Sequence, residues 1–177
     1  MSTLREYLTQ KRRAWQSRMD DIASADVLRP AARVTAEGRS GVRRIRIRDH
    51  QVLSDSGPDF AGYDLGPSSP ELQLGVLGSC LTHIFLIQAA AAGIPLDSVS
   101  VDVSAVVDPK AGTPGFEDVP VYPTDISYTV HIGSPASDDE LDRLFAAVER
   151  ACPVLNLLAN PQHITGTLVR ASEGGEA

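Results

Sequence analysis

The segment Glu71–Gly93 reads ELQLGVLGSCLTHIFLIQAAAAG and carries no Asp, Glu, Lys or Arg after its first residue. The 22 residues from Glu71 to Ala92 are as long as a bilayer-crossing helix, which needs about 20 apolar residues. Gln73, Ser79, Thr82, His83 and Gln88 interrupt the run, and no Lys/Arg cluster flanks it, so a membrane span is not expected. A helix apolar nearly all round in a globular protein is a central buried helix. Gly93-Ile94-Pro95 ends it, with Gly in the terminating position and Pro beyond it. Cys80 lies near its middle. Buried cysteines commonly serve as small hydrophobes; the rest of the chain decides whether this one does chemistry.

Outward from that helix the pattern alternates. Ser98–Val107, SVSVDVSAVV, has the two-residue period of a half-buried strand. A Pro/Gly-rich loop separates it from Val121–Ile132, where Ile126, Tyr128, Val130 and Ile132 alternate again. The two predict a long antiparallel hairpin. Ser137 and Glu140 form a capping-box signature. It opens a helix with an apolar stripe of Leu141, Leu144, Phe145 and Val148, running to Cys152 before Pro153. VLNLLAN adds a short helical turn, and Ile164–Arg170 reads as a last strand.

On the N-terminal side, Gly57–Pro70 is a loop, and Ala32–Asp55 predicts strands. Gly38-Arg39-Ser40-Gly41 turns between RVTAE and VRRIRIRDHQVLSD, a hairpin signal. Ile45 and Ile47 alternate with Arg44, Arg46 and Arg48, giving one apolar and one basic face. The basic face is expected to be a solvated sheet surface or an edge protected by charge. Leu4–Ile22 reads as an amphipathic helix, capped by Thr3 with Glu6. The expected organisation is an N-terminal helical extension over 1–30, one α+β domain over 31–170, and a disordered tail over 171–177. Strand runs separated by helices indicate α+β rather than a doubly wound sheet.

Bulk properties exclude several classes. The net charge of −7 disfavours nucleic acid and anionic membrane partners. MSTLREYLTQKRRAW has no apolar h-region, so a cytoplasmic location is expected. HExxH, CxxC and phosphate-loop patterns are missing, and the four histidines show no metal spacing. Two cysteines 72 positions apart cannot make a secreted disulfide framework. They are either inert or a redox pair. His83, three residues after Cys80, can share a helix face with it. It is then either a hydrogen-bonded helix histidine or a base that deprotonates Cys80.

SSPELQLGVLGSCLTHIFLIQAAAAGIPLDSVSVDV, with AVERACPV around Cys152 and VTAEGRSGVRRIRI around Arg39, resembles the OsmC/Ohr family. These are the osmotically inducible protein C and organic hydroperoxide resistance proteins. The likeness spans roughly Arg33–Val169 and suits the broader OsmC-like branch. It implies an intertwined α+β homodimer, with long central apolar helices wrapped by antiparallel sheets and sites at the interface. It further implies a thiol-dependent peroxidase acting on organic hydroperoxides, without metal or nucleotide cofactor, and recharged by a thiol or lipoyl-type reductant. Cys80 would be the peroxidatic and Cys152 the resolving cysteine. Arg39 would stabilise the thiolate, with Glu71 in support. Glu71 stands one position later than the family's glutamate. The alternative is a non-catalytic dimer that binds a small hydrophobic ligand in its interface pocket.

Overall fold

The computed structural model describes residues 3–170; the expected tail over 171–177 lies outside them. In chain order the elements are helix α1 (Leu4–Asp20), strands β1 (Arg33–Ala36), β2 (Arg43–Ile47) and β3 (His50–Ser54), and helix α2 (Ser69–Ala92). Strands β4 (Ser98–Val106) and β5 (Thr124–Gly133) and helices α3 (Asp138–Ala151) and α4 (Pro153–Ala159) follow, with single 3-10 turns at Ile22–Ser24 and Pro58–Phe60. Two antiparallel sheets form, β1-β2-β3 and β4-β5, so the chain is α+β.

Helix α2 organises the core. Leu77, Leu81, Phe85 and Ala89, spaced by four, are essentially fully buried on one face. They cluster with Leu8 of α1, Leu96, and Leu144 and Val148 of α3. Helix α2 packs against α1, β4, α3 and α4. Gly78 permits the close approach to β4, since a Cβ there would stand 3.2 Å from Val103 Cγ2. Gly93, at φ 73°, closes the helix in the left-handed region that favours glycine. Three capping boxes start helices: Thr3–Glu6, Ser68–Glu71 and Ser137–Glu140. The second makes α2 begin at Ser69, two residues before the apolar run.

In the second sheet, Val99, Val101 and Val103 face Ile132, Val130 and Tyr128 in register and turn toward the core. Ser100, Asp102, Ser104, Thr129 and His131 lie exposed on the other face. In the first sheet, Val34, Ile45 and Val52 are cross-strand neighbours in one row, yet Val34 and Val52 remain exposed. Among the described residues no helix packs on that sheet to an extent comparable with the second.

Helix α1 is anchored at its first turn. Arg5 donates two hydrogen bonds to the Asp97 carboxylate, at 2.6 and 2.8 Å, while Leu8 joins the core.

The expected last strand, Ile164–Arg170, is absent: this segment has no regular structure, and Ile164, Leu168 and Val169 are 88%, 90% and 82% exposed. Its apolar residues suit a strand, but a strand exists only by pairing, and neither sheet of this chain takes it up.

Candidate functional site

Cys80 lies three turns into α2, on a different face from the fully buried Leu77–Ala89 row. Cys152 lies at the corner between α3 and α4. There Pro153, with no N–H to continue the ladder, opens α4 at its first position. The corner is fixed by Asn156, whose Nδ2 donates to the carbonyls of Cys152 at 2.8 Å and Glu149 at 3.0 Å. The Glu149 carbonyl is the one that Pro153 leaves without a backbone donor; the Cys152 carbonyl also accepts the Asn156 backbone N–H at 3.0 Å. The result is a Cys152 Sγ–Cys80 Sγ separation of 3.4 Å. Both thiols are free; a disulfide requires about 2.05 Å, so a modest closure would join them.

The two thiols differ in access. Cys152 is fully buried, whereas Cys80 lines an open hollow of about 390 Å³ with Leu72, Gly75, Val76, Ser79 and His83. A reagent entering the hollow meets Cys80 first and finds Cys152 behind it. Burial pushes the Cys80 thiol pKa up, the Val154 backbone N–H pulls it down, and the neighbouring Cys152 adds to the rise. Partial desolvation and the nearby Lys11 ammonium hold His83 below its ordinary value. On the inner side, the Tyr128 hydroxyl donates to Glu149 at 2.6 Å. Burial and that carboxylate push its pKa up, so it stays protonated.

Arg39 and Glu71 lie away from this pair within one chain. Arg39 is exposed at the tip of the β1–β2 turn and makes no ion pair among the described residues. The turn is tied by Ser40, whose hydroxyl donates to the Glu37 carbonyl at 2.7 Å. Arg44 pairs with the Glu37 carboxylate at 2.7 Å. Glu71 caps α2: its Oε2 accepts from the Ser68 N–H at 2.7 Å and the Ser68 hydroxyl at 2.6 Å, which lowers its pKa. At about 100° per residue, Glu71 points half a turn away from Cys80. It lines a neighbouring groove with Leu74, Gly78, Val101 and Val103, which meets the Cys80 hollow at Gly75 and Ser79.

Sequence reasoning passed over Asn156 and the Val154 amide. Pro153 after Cys152 was the available signal, because a helix break announces carbonyls in need of a donor. Among the described residues no group of His, Cys, Asp and Glu is placed to hold a metal ion.

The fold is shared with solved structures. An OsmC-like protein from Mycoplasma pneumoniae is 18% identical at TM-score 0.60, covering 76% of this chain and 88% of its own. An organic hydroperoxide resistance protein, OsmC, from Legionella pneumophila is 14% identical at TM-score 0.55, covering 76% and 91%. An OsmC-like protein of unknown function from Vibrio cholerae is 12% identical at TM-score 0.56, covering 73% and 93%. No curated protein matches the chain. At these identities the likeness establishes the fold. The family follows from the sequence, because the profile described as OsmC-like protein matches residues 62–166, more than half the chain and the whole of α2 through α4. The chain belongs to the OsmC-like protein family.

Proposed function

We propose that the protein is a thiol-dependent peroxidase that reduces organic hydroperoxides through Cys80 and Cys152, in a reducing, cytoplasmic setting. The observation that carries the reading is the 3.4 Å contact between one accessible and one fully buried thiol. The Cys80 thiolate attacks the terminal oxygen of ROOH. The O–O bond breaks, an S–O bond forms, and RO⁻ takes a proton to leave as the alcohol. Cys152, as thiolate, then attacks the Cys80 sulfenic sulfur; the S–S bond forms and the oxygen leaves as water. A dithiol reductant, of the lipoyl type or another, restores both thiols.

The apolar hollow supports an alkyl substrate, since such walls favour a hydrocarbon tail over water. A homodimer is supported by an apolar surface that stands unpartnered among the described residues. This is the Val34–Ile45–Val52 row of the first sheet, where Val34 and Val52 are 55% and 42% exposed. In such a dimer, Arg39 from one subunit serves Cys80 of the other, offsetting the burial that otherwise favours the thiol. Glu71 would act there only across the interface.

The raised thiol pKa and the engaged Glu71 favour a second reading, a non-catalytic dimer with an apolar ligand pocket. One equivalent of cumene hydroperoxide separates the two. The peroxidase consumes it and yields a Cys80–Cys152 disulfide on peptide mapping. Two free thiols and unconsumed oxidant would leave the binding reading.

A further inference from the structure

Of the residues lining the hollow beside Cys80, only Cys80 and His83 are titratable. His83 follows by three positions, the spacing that sets two side chains next to each other on one helix face. Glu71 is on the opposite side of α2 and committed to the cap. Cys80 is thus a thiol without a carboxylate base in its own hollow. We propose that His83 is the proton carrier of this site, accepting the Cys80 proton as the thiolate forms and returning it to the leaving alkoxide.

This rests on the peroxidase reading. In the step, the Cys80 S–H proton moves to the His83 imidazole and the thiolate attacks ROOH. The S–O bond forms as O–O breaks, and the imidazolium protonates RO⁻. The products are sulfenic acid, alcohol and neutral His83, so the carrier is reset without an outside acid. An arginine can stabilise a thiolate, but it cannot accept the proton.

The surroundings suit a group that must begin neutral. His83 is exposed at the helix surface, yet partial desolvation there and the Lys11 ammonium both disfavour imidazolium. Lys11 belongs to α1 and is held there by its hydrogen bond to the Tyr7 hydroxyl at 3.4 Å and by its position 5.5 Å above the Tyr7 ring centre. Among the described residues, Lys11 of α1 is the charged side chain that acts on His83. Helix α1 lies before the family-matched residues, so the extension tunes the proton acceptor.

The test is the pH profile of kcat/KM for cumene hydroperoxide in the full chain. Wild type shows an ascending limb from His83 ionisation. His83→Gln loses the limb, and the rate at neutral pH falls roughly 100-fold, a usual size for a general acid–base group. Lys11→Gln moves the limb to higher pH, because a lost cation raises the imidazole pKa. Free imidazole restores activity to His83→Ala. A profile unchanged in His83→Gln, or lowered evenly with its limb intact, overturns the proposal. If wild type consumes no hydroperoxide, the peroxidase reading falls, and alkylation of Cys80 by iodoacetamide in a Cys152→Ser background still decides His83. Alkylation roughly ten-fold slower at neutral pH in His83→Gln supports proton transfer; equal rates refute it.

Discussion

Cys152 stands directly behind Cys80, 3.4 Å away, with Cys80 between it and the open hollow. Two reactivities follow from one contact. Iodoacetamide should label Cys80 and leave Cys152 unmodified under native conditions, and Cys80→Ser should remain almost inert. Mass spectrometry of tryptic peptides over a time course reads this. Equal labelling would mean that the α3–α4 corner opens readily and that burial does not set the order of the two thiols.

Substrate preference should track the hollow's lining. Leu72, Val76 and the Cys80 methylene offer contacts to an alkyl tail that hydrogen peroxide lacks. Cumene hydroperoxide should therefore react faster in stopped-flow measurements, and Leu72→Ser should narrow the gap between the two oxidants. Equal second-order rates would remove the apolar-pocket argument without touching the thiol chemistry.

The first sheet should need a partner. Val52 is 42% exposed in the single chain, in a row with Ile45 and Val34. A charge there costs little in an isolated subunit but much when buried unpaired in an interface. Val52→Glu should shift sedimentation velocity from dimer to monomer while circular dichroism stays native. A wild-type monomer would place the Val34–Ile45–Val52 face against some other partner.

Asp55 gives a pH-dependent prediction. It is buried, and its Oδ2 accepts from the Tyr63 and Leu65 N–H groups at 2.9 and 3.3 Å, holding the loop from β3 to α2. Backbone donors, Ser56 first, and Arg43 lower its pKa. A carboxylate with a depressed folded-state pKa adds stability above its unfolded pKa and loses it as pH falls through the folded value. Asp55→Asn should therefore melt below wild type at neutral pH, and the difference should close in acid. A gap independent of pH would trace the loss to shape rather than charge.

These features were unequally visible in the sequence. Helix α2 was legible because a long uncharged run has few other fates, and the β4–β5 hairpin because its valines alternate without interruption. The Ser68–Glu71 capping box has the same Ser-x-x-Glu pattern as Ser137–Glu140, but Gly57–Pro70 reads as a loop, and sequence reasoning passed over the box. A family resemblance directs attention to Glu71 as a catalytic group, whereas local physics uses it to start the helix. The meeting of Cys80 and Cys152 was not written in either neighbourhood, since it depends on how α3 crosses α2 and on the Asn156 bonds that set the corner. Ile164–Arg170 shows the opposite failure: its pattern suits a strand, but the pairing edge is not in its own chain.

Arg39 is the residue whose role depends most on assembly. Its guanidinium is exposed, and the sheet bearing it makes little contact with α2 in the same chain. If the dimer brings it to Cys80, Arg39→Ala should raise the thiol pKa, move the thiolate titration to higher pH, and slow hydroperoxide reduction roughly ten-fold, about 1.4 kcal/mol in the barrier. Arg39→Lys should recover part of this, because an ammonium keeps the charge but not the planar fork. Ultraviolet thiolate absorbance in a Cys152→Ser background measures the shift. Combining Arg39→Ala with Val52→Glu tests the route. Coupling through the interface makes the pair non-additive, because a monomer has no Arg39 at Cys80 left to lose. Additive effects would assign Arg39 to its own turn and leave activation of Cys80 to groups within the chain.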